Sequence, residues 1–590
     1  MSRTKKRDFI LSQIKQIHIK GFRVIKELVW NPKPGLNCLI GAGDSGKSTL
    51  LDAIDLTLSA RRSYPFTDAD FYQLDTTTPI EIFVTLGALD ERLKNIESYG
   101  MFLRGFDSTT GTLTDEPQAG QELVITMKLT VGEDLEPDWQ LYSERALDNS
   151  VERRLPWKHR ALISPARLGA APNHHLAWGH KSILNKLSDN TINVSSTLAQ
   201  LGRGARDAFS THSIPGIDEI LSQVKTIANK LGVPVGELKA LLDVNSVSLS
   251  KGAISLHNND STPLTQLGTG SSRLLISGLQ KAAISSNILL VDEAEYGLEP
   301  FRITRLLNEL GSKDENPAQQ VFITTHSPYV LRDLKAEQLH VVRKAEDAPF
   351  PPPNSHASHL IFTLTGGDEQ QSTLRVCAEA FFSRSVIVCE GKTEIGLIKG
   401  IDLYCQDQGA DSIQAHGTYW ANGDGSSLFQ RAKIFKSLGY PTAIFKDSDK
   451  PAEEADPTNQ VQELGIAVFE WGHNCATEDA VFHSCPASVV PALLQLAIER
   501  KGMDSVESAI QVFSNNTLNV NACRQGFNES MRPILSKAAN QKAWFKDIEP
   551  AEKLARLIIM PNYDHFGSVL TQPINGLFTW ARPVGENDVC

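Results

Sequence analysis

The sequence predicts an α/β protein with more than one domain. Three observations carry that expectation. A short apolar run, Leu36 to Ile40, leads into the glycine-rich stretch Gly41 to Ser48 and then into helical spacing at Leu50, Leu51, Ile54 and Leu58. That is strand, loop and helix in succession. Farther on, SVIVCEG, YPTAIFKDSD and IAVFEW are apolar runs that each end in acidic or polar residues, as strands of a parallel sheet do at their functional ends. Between the two regions lies a block of helical periodicity, and 590 residues suffice for about two to four domains.

Composition narrows the class. Hydrophobic residues make up 41% and charged residues 22%, the balance of a globular chain rather than a disordered one. A net charge of −11 argues against a uniformly basic, DNA-coating protein but leaves room for a local basic channel. The eight cysteines are scattered without a C-x-x-C pair, which favours a reduced, cytoplasmic setting and disfavours structural zinc. No stretch reaches the ~18 apolar residues of a membrane span, and the basic start of the chain lacks a signal-peptide apolar run. A membrane partner is not expected.

Taken in order, residues 14–30 alternate (Ile14, Ile17, Ile19, Phe22, Val24, Ile25, Leu28), which predicts two strands around Gly21-Phe22-Arg23. Residues 80–145 are strand-rich. From about 168 to 245 the spacing turns helical, at Ile183, Leu184, Leu187, Leu198, Leu201, Ile217, Ile220, Leu221, Val224 and Ile227. Lys344 to His359 is proline-rich and reads as a linker. The region from 480 to 560 reads as mostly helical.

GAGDSGKS satisfies G-x-x-x-x-G-K-[ST]. Such a loop wraps phosphates with backbone N–H groups, here over Gly41, Gly43, Asp44, Ser45, Gly46, Lys47, Ser48 and Thr49. Lys47 supplies a charge to the β- and γ-phosphates, and the Ser48 hydroxyl reaches Mg²⁺. The cofactor this implies is ATP with Mg²⁺. The strand Asn287 to Val291 ends in Asp292-Glu293; Asp292 would hold Mg²⁺ through water and Glu293 would polarise the attacking water. Gln320 to Pro328 is another apolar strand, and it ends in His326. In ATPases of the ABC type a histidine here senses the γ-phosphate. LGTGSSRLL, about 20 residues before Asp292, stands where that type carries its signature motif; Gly270 and Ser271 are the expected contacts, made to a nucleotide held by a second subunit. Gln73 stands where a Q-loop would be.

The second constellation is acidic. Glu390 ends a strand and Glu394 follows four residues later, while Asp447 and Asp449 end the next apolar run. If a helix begins after Gly391, both glutamates face one pocket; in extended chain, the two aspartates point the same way. Four carboxylates at two strand ends suit two divalent ions, Mg²⁺ or Mn²⁺, about 4 Å apart. Glu478 and Asp479 are candidates for a further ligand. Lys546, with Lys553 behind it, is the candidate to offset charge on a pentavalent phosphate. His174, His175 and His180 have no cysteine or carboxylate at zinc spacing and read as packing or exposed histidines.

The order of these motifs resembles the OLD (overcoming lysogenization defect) family of ATP-dependent endonucleases, from about residue 14 to 557. In layout it is similar to the nuclease subunit of the Gabija anti-phage system. The resemblance implies an ABC/SMC-like ATPase domain in two parts, 1–167 and 246–345, split by a helical dimerisation insertion at 168–245. A linker at 346–380 and a Rossmann-like Toprim nuclease domain at 381–590 would follow. It implies two-metal cleavage of double-stranded DNA, a homodimer or tetramer, and a role in defence against phage; a helicase-like partner protein would fit the same layout. By the same carry-over Glu390, Glu394, Asp447 and Asp449 are the Toprim acids, Glu478 or Asp479 a later acid, and Lys546 the lysine of a WFK segment. Two other readings compete with this one. An SMC-like ATPase clamp or sensor with a non-cleaving Toprim domain is disfavoured by the missing heptad arms and the intact acids. A topoisomerase- or primase-like enzyme is disfavoured because no module carrying a nucleophilic tyrosine is evident.

Overall fold

The computed structural model describes residues 12–61, 63–168, 177–178, 184, 216–242, 254–282, 287–315, 317, 319–347 and 357–582. These fall mainly into two compact units, the first running to Leu364 and the second from Thr365.

The first unit opens with the hairpin β1 (Gln13–Phe22) and β2 (Ile25–Trp30), in which Phe22 pairs with Ile25. The predicted turn is therefore two residues, Arg23 and Val24, with Arg23 at φ 50°. β3 (Leu36–Ile40) is buried at every position and leads through the glycine loop into α1 (Lys47–Leu58). β4 (Ile80–Gly87), β5 (Leu103–Asp107), β6 (Thr112–Thr114), β7 (Glu122–Val131) and β8 (Pro137–Tyr142) join the hairpin in an antiparallel sheet ordered β2-β1-β4-β7-β5-β6, with β8 also on β7. Its apolar face packs on α1 through Leu50, Leu51 and Ile54.

A second sheet carries the nucleotide motifs. Its strands are β9 (Ala166–Leu168), β13 (Ile288–Val291), β14 (Gln320–Thr324), β15 (Leu339–Lys344) and β16 (His359–Thr363), ordered with β3 as β16-β15-β3-β14-β13-β9. All neighbours in it are parallel except β15 and β16. β3, β13 and β14 are buried throughout, which is why they read as predominantly apolar runs rather than as a regular alternation. A three-stranded antiparallel sheet, β10 (Ala177–Trp178), β12 (Ile254–His257) and β11 (Lys239–Leu242), lies in and just after the stretch expected to be helical.

Within 168–245 the longest described element is α2 (Ile217–Leu231). Its apolar stripe, Ile217, Ile220, Val224, Ala228 and Leu231, is buried inside the protomer. Ile227 and Leu231 close on Gly278 of α3 (Thr269–Ala282). The apolar stripe of this described part of the insertion is therefore covered within the chain itself. Leu187, Leu198 and Leu201, with His174, His175 and His180, lie outside the described residues. Of the range 346–380, β16 and a helix over Asp368–Val376 are ordered elements.

The second unit is a parallel four-stranded sheet, β17 (Ser385–Cys389), β18 (Thr418–Asn422), β19 (Thr442–Lys446) and β20 (Ala467–Glu470), ordered β18-β17-β19-β20. Helices cover it, as a parallel sheet requires, and residues 477–582 are almost wholly helical. Three helices position the site: α4 (Lys392–Asp407), α5 (Thr477–Ser484) and α6 (Ile548–Lys553). α4 and α6 approach backbone to backbone. A Cβ at Gly396 would stand 2.4 Å from the Ile548 carbonyl oxygen, and one at Gly400 2.3 Å from that of Glu552. Backbone cannot move aside as a side chain can, so Gly400→Ala should destabilise this unit by about 1–3 kcal/mol, read as a fall in melting temperature.

Six cysteines of the described residues are free and buried.

Candidate functional sites

The phosphate loop is built by backbone freedom. Gly41 has φ 135°, Asp44 57° and Gly46 86°, so the chain curls through left-handed space, which glycine enters at no steric cost. Gly46 precedes α1, and no side chain caps that helix N-terminus, an arrangement suited to an anion. Lys47 is buried and donates to Ser45 Oγ at 3.2 Å. Burial pulls its ammonium down to about 8, against the charges of Asp44 and Asp292.

Asp292 follows β13 and gathers partners from three elements. Its Oδ1 accepts from Ser48 Oγ at 3.1 Å and from Thr324 Oγ1 at 2.6 Å; Arg167 of β9 stands 3.4 Å from its Oδ2. Parallel pairing of β13 with both β14 and β9 sets these residues side by side. Glu293 is exposed and left-handed, at φ 47°. Its amide donates to Thr324 Oγ1 at 2.9 Å, while buried Arg273 of α3 donates to the Asp292 and Glu293 carbonyls at 2.8 and 2.9 Å. His326 lies beyond β14, with its amide donating to Glu295 Oε1 at 2.7 Å; partial burial of its otherwise solvent-reaching ring, and then the charge of Lys47, lower its proton affinity. Ser48, Asp292 and Lys47 are therefore brought together, with Glu293 and His326 on adjoining strand ends.

The signature segment differs in detail from expectation. Gly268 and Thr269 are exposed, but Gly270 is buried, and a Cβ there would lie 2.3 Å from the Gly297 carbonyl oxygen. Ser271 Oγ accepts from Arg302 at 2.9 Å. Gln73, at φ 55°, is exposed and donates to the hydroxyl of Tyr72 at 3.4 Å.

In the second unit the acids meet at the ends of β17 and β19. These strands are parallel neighbours, so residues just past their ends are adjacent. Glu390 Oε2 accepts from the Asp447 amide at 3.0 Å, and Lys450 stands 3.9 Å from Glu390 Oε1. Glu394 lies in the first turn of α4, where its Oε2 accepts from the Gly391 amide at 2.9 Å. One hydroxyl joins the sets: Thr477 Oγ1 reaches Glu394 Oε1 at 3.2 Å and Asp447 Oδ1 at 2.7 Å. Trp471 Nε1 donates to the same Asp447 oxygen at 3.0 Å.

Burial raises the proton affinity of Glu390, Glu394 and Asp447; the Glu390 charge adds to the effect at Glu394, and the Glu394 and Glu390 charges add to it at Asp447, because like charges this close resist joint ionisation. Asp449 is exposed at the mouth, and its charge is felt by both Asp447 and Glu390. Glu478 is buried in the first turn of α5, and one of its oxygens, Oε1, has no hydrogen-bond partner among the described residues. Burial raises its carboxyl to about 7, against the pull of the Lys546 ammonium. Asp479 instead accepts from the Ala476 amide at 3.2 Å and from Ser536 Oγ, so it caps α5. Lys546 is exposed, while Lys553 is engaged with Glu549 at 2.8 Å.

Among the described residues no three acids, histidines or cysteines are drawn into a ready metal cage. The donors nevertheless fit a hard divalent cation in kind. All are carboxylate or hydroxyl oxygens, several are buried against their preference, and one buried oxygen is uncompensated. Thr477, Trp471, Lys450, Arg167 and Arg273 are site residues that no sequence pattern announced.

Comparison with known proteins agrees with both halves. Residues 36–332, just over half of the chain, match the family described as "AAA domain, putative AbiEii toxin, Type IV TA system". Residues 381–449 match "Overcoming lysogenization defect protein-like, TOPRIM domain". No curated protein matches in sequence. Similar solved structures include an Smc head bound to the C-winged helix domain of ScpA (16% identity, 60% of this chain and 98% of that one, TM-score 0.34). An Smc head with an extended coiled coil bound to the C-terminal domain of ScpA, from Pyrococcus furiosus, shows 14% identity over 60% and 97%, with TM-score 0.35. The recombination mediator protein RecF with ATP shows 13% identity over 55% and 94%, with TM-score 0.33. With its phosphate loop, Asp-Glu strand and acid-tipped parallel sheet in place, the chain belongs to that AAA-domain family and joins its ATPase to an OLD-like Toprim domain.

Proposed function

We propose that the protein is an ATP-regulated, divalent-metal-dependent DNA endonuclease whose hydrolytic site is the carboxylate cluster at β17, β19 and α5. The observation that carries this reading is the convergence of Glu394 and Asp447 on Thr477, beside the uncompensated oxygen of Glu478. Crowded, buried carboxylates raise one another's proton affinity, and a divalent cation relieves that cost. Glu390, Glu394, Asp447, Asp449 and Glu478 are the residues that would hold two Mg²⁺ or Mn²⁺ ions. Bound there, such ions activate a water and stabilise the leaving oxygen. Thr477 and Trp471 hold Asp447 in place, and Lys546 offsets charge on the phosphate. Asp479, occupied as a helix cap, has no part in this set.

In the first unit Lys47 and the loop Gly41–Thr49 bind ATP, Ser48 and Asp292 serve its Mg²⁺, Glu293 orients the hydrolytic water, and His326 attends the γ-phosphate. The signature segment completes a second subunit's site through its exposed Gly268 and Thr269, with Gly270, packed on Gly297, and Ser271, held by Arg302, setting their position. The working form is then at least a homodimer, and a tetramer is compatible with it. Light scattering reads this directly: a stable monomer near 65 kDa (64.8 kDa per chain), with and without ATP, would contradict it. Double-stranded DNA as substrate, a cytoplasmic role in phage defence and a helicase-like partner of the Gabija kind belong to the same reading and rest on the motif order.

The direct test is plasmid nicking with Mg²⁺ or Mn²⁺, comparing wild type with Glu390→Ala. Metal-dependent nicking that the substitution abolishes supports the nuclease reading. Equal nicking by both proteins, or none by wild type with either metal, rejects it.

A further inference from the structure

The loop Ala543–Asp547 runs from the helix Arg532–Lys542 to α6, and both its ends lie in left-handed backbone space, Ala543 at φ 51° and Asp547 at φ 122°. With ψ at 167°, Asp547 occupies a region that glycine alone enters without cost. A strained aspartate persists only where its surroundings hold it. On one side Trp544 and Phe545 are buried, with rings 6.2 and 6.4 Å from Phe482 of α5, the helix whose first turn bears Glu478. On the other side the Ile548 carbonyl fills the space left by Gly396 of α4, the helix whose first turn bears Glu394. The Asp547 carboxylate accepts from the Ile548 amide at 2.9 Å and stands 4.0 Å from Lys392, the first residue of α4. Lys546 is the exposed residue between these two anchors.

We propose that Asp547 is a positioning residue: its strained backbone turns the loop so that Lys546 faces the carboxylate site. Glu478 and Phe482 lie one helical turn apart on α5, so the packing of Phe545 on Phe482 brings the next residue, Lys546, to the side of the helix that bears Glu478. A glycine at this position would relax the loop and release Lys546 from it. The role given to Lys546 rests on the nuclease reading above.

The test compares Asp547→Gly, Asp547→Asn and Lys546→Ala with the Asp547→Gly/Lys546→Ala double variant. Asp547→Gly should melt at or above the wild-type temperature, because a helix cap lost to glycine costs little and the strain is gone. Its kcat for cleavage should fall ~10–100-fold, the scale of a misplaced reacting group, with KM unchanged. Asp547→Asn, which keeps both cap and backbone, should retain near wild-type kcat. The double variant should be no worse than Lys546→Ala, as expected of residues acting as one unit.

A melting temperature well below wild type for Asp547→Gly overturns the strain argument. Wild-type kcat in Asp547→Gly beside an inactive Lys546→Ala overturns the positioning role and leaves the nuclease reading standing. If wild type does not cleave, the nuclease reading fails and Mn²⁺ binding decides the rest. An ammonium held at the acids opposes the cation, so Lys546→Ala and Asp547→Gly should tighten Mn²⁺ to a similar degree. Unchanged Mn²⁺ affinity in either variant overturns the proposal.

Discussion

Replacing Asp447 with asparagine should abolish DNA cleavage and yet, in metal-free buffer, make the protein more stable at neutral and higher pH. Asparagine keeps an acceptor for Thr477 and Trp471, whose donors meet Asp447 Oδ1 at 2.7 and 3.0 Å, so the local structure survives. It removes a charge that a bound cation needs, and loss of one such ligand removes the stabilisation of the transition state. The stability effect follows from proton counting. Burial, then the Glu394 charge, hold the Asp447 carboxyl above its ordinary 3.8. The folded state therefore keeps that proton to higher pH than the unfolded chain does. Stability is full below 3.8 and falls as pH rises toward the raised value. The variant lacks this penalty, so its advantage in melting temperature should widen from about pH 4 to about pH 8 with chelator present. A variant that cuts at the wild-type rate, or that melts lower across this window, would refute the placement of Asp447.

The other large effect is expected at Glu293. Glu293→Gln should bind ATP as wild type does but hydrolyse it ~100-fold or more slowly, the scale of a lost general base. The backbone there is fixed independently of the side chain, by the Thr324 hydroxyl on its amide and Arg273 on its carbonyl, so glutamine should sit where glutamate did. Only the capacity to polarise water changes. Lys47→Ala makes the opposite case: a buried ammonium between Ser45, Asp44 and Asp292 is lost, and nucleotide affinity should fall with it. Nucleotide-binding and single-turnover assays separate the two; normal turnover by Glu293→Gln would exclude it as the water-orienting residue.

Much of this was legible in the chain because both sites sit at the ends of buried parallel strands. Leu36 to Ile40, Ile288 to Val291, Ser385 to Cys389 and Thr442 to Lys446 are mostly apolar, and the polar residues after each mark where the strand meets its site. What was not legible came from neighbours fixed by sheet order rather than by sequence distance. Thr477 meets Glu394 across 83 positions, and Arg167 meets Asp292 across 125. The paired aspartates show a different limit. Alternation places Asp447 and Asp449 on one side only while the strand continues, but β19 ends at Lys446; Asp447 turns inward and Asp449 stays exposed. At the signature segment the glycine pattern marked a close approach, but the approaching group is the chain's own Gly297 carbonyl.

The glycine seam between α4 and α6 bears on how this protein can drift in sequence. Most buried positions tolerate exchange because neighbouring side chains re-pack around a new volume. At Gly396 and Gly400 the opposing surface is carbonyl oxygen and alanine methyl, which offers almost nothing to rearrange. No second-site substitution among side chains would restore the fit, since shrinking Ala551 or Ala555 leaves the carbonyls where they are. Two positions remote from any reacting group are thereby nearly closed to evolutionary change, while the apolar core beside them stays open to it.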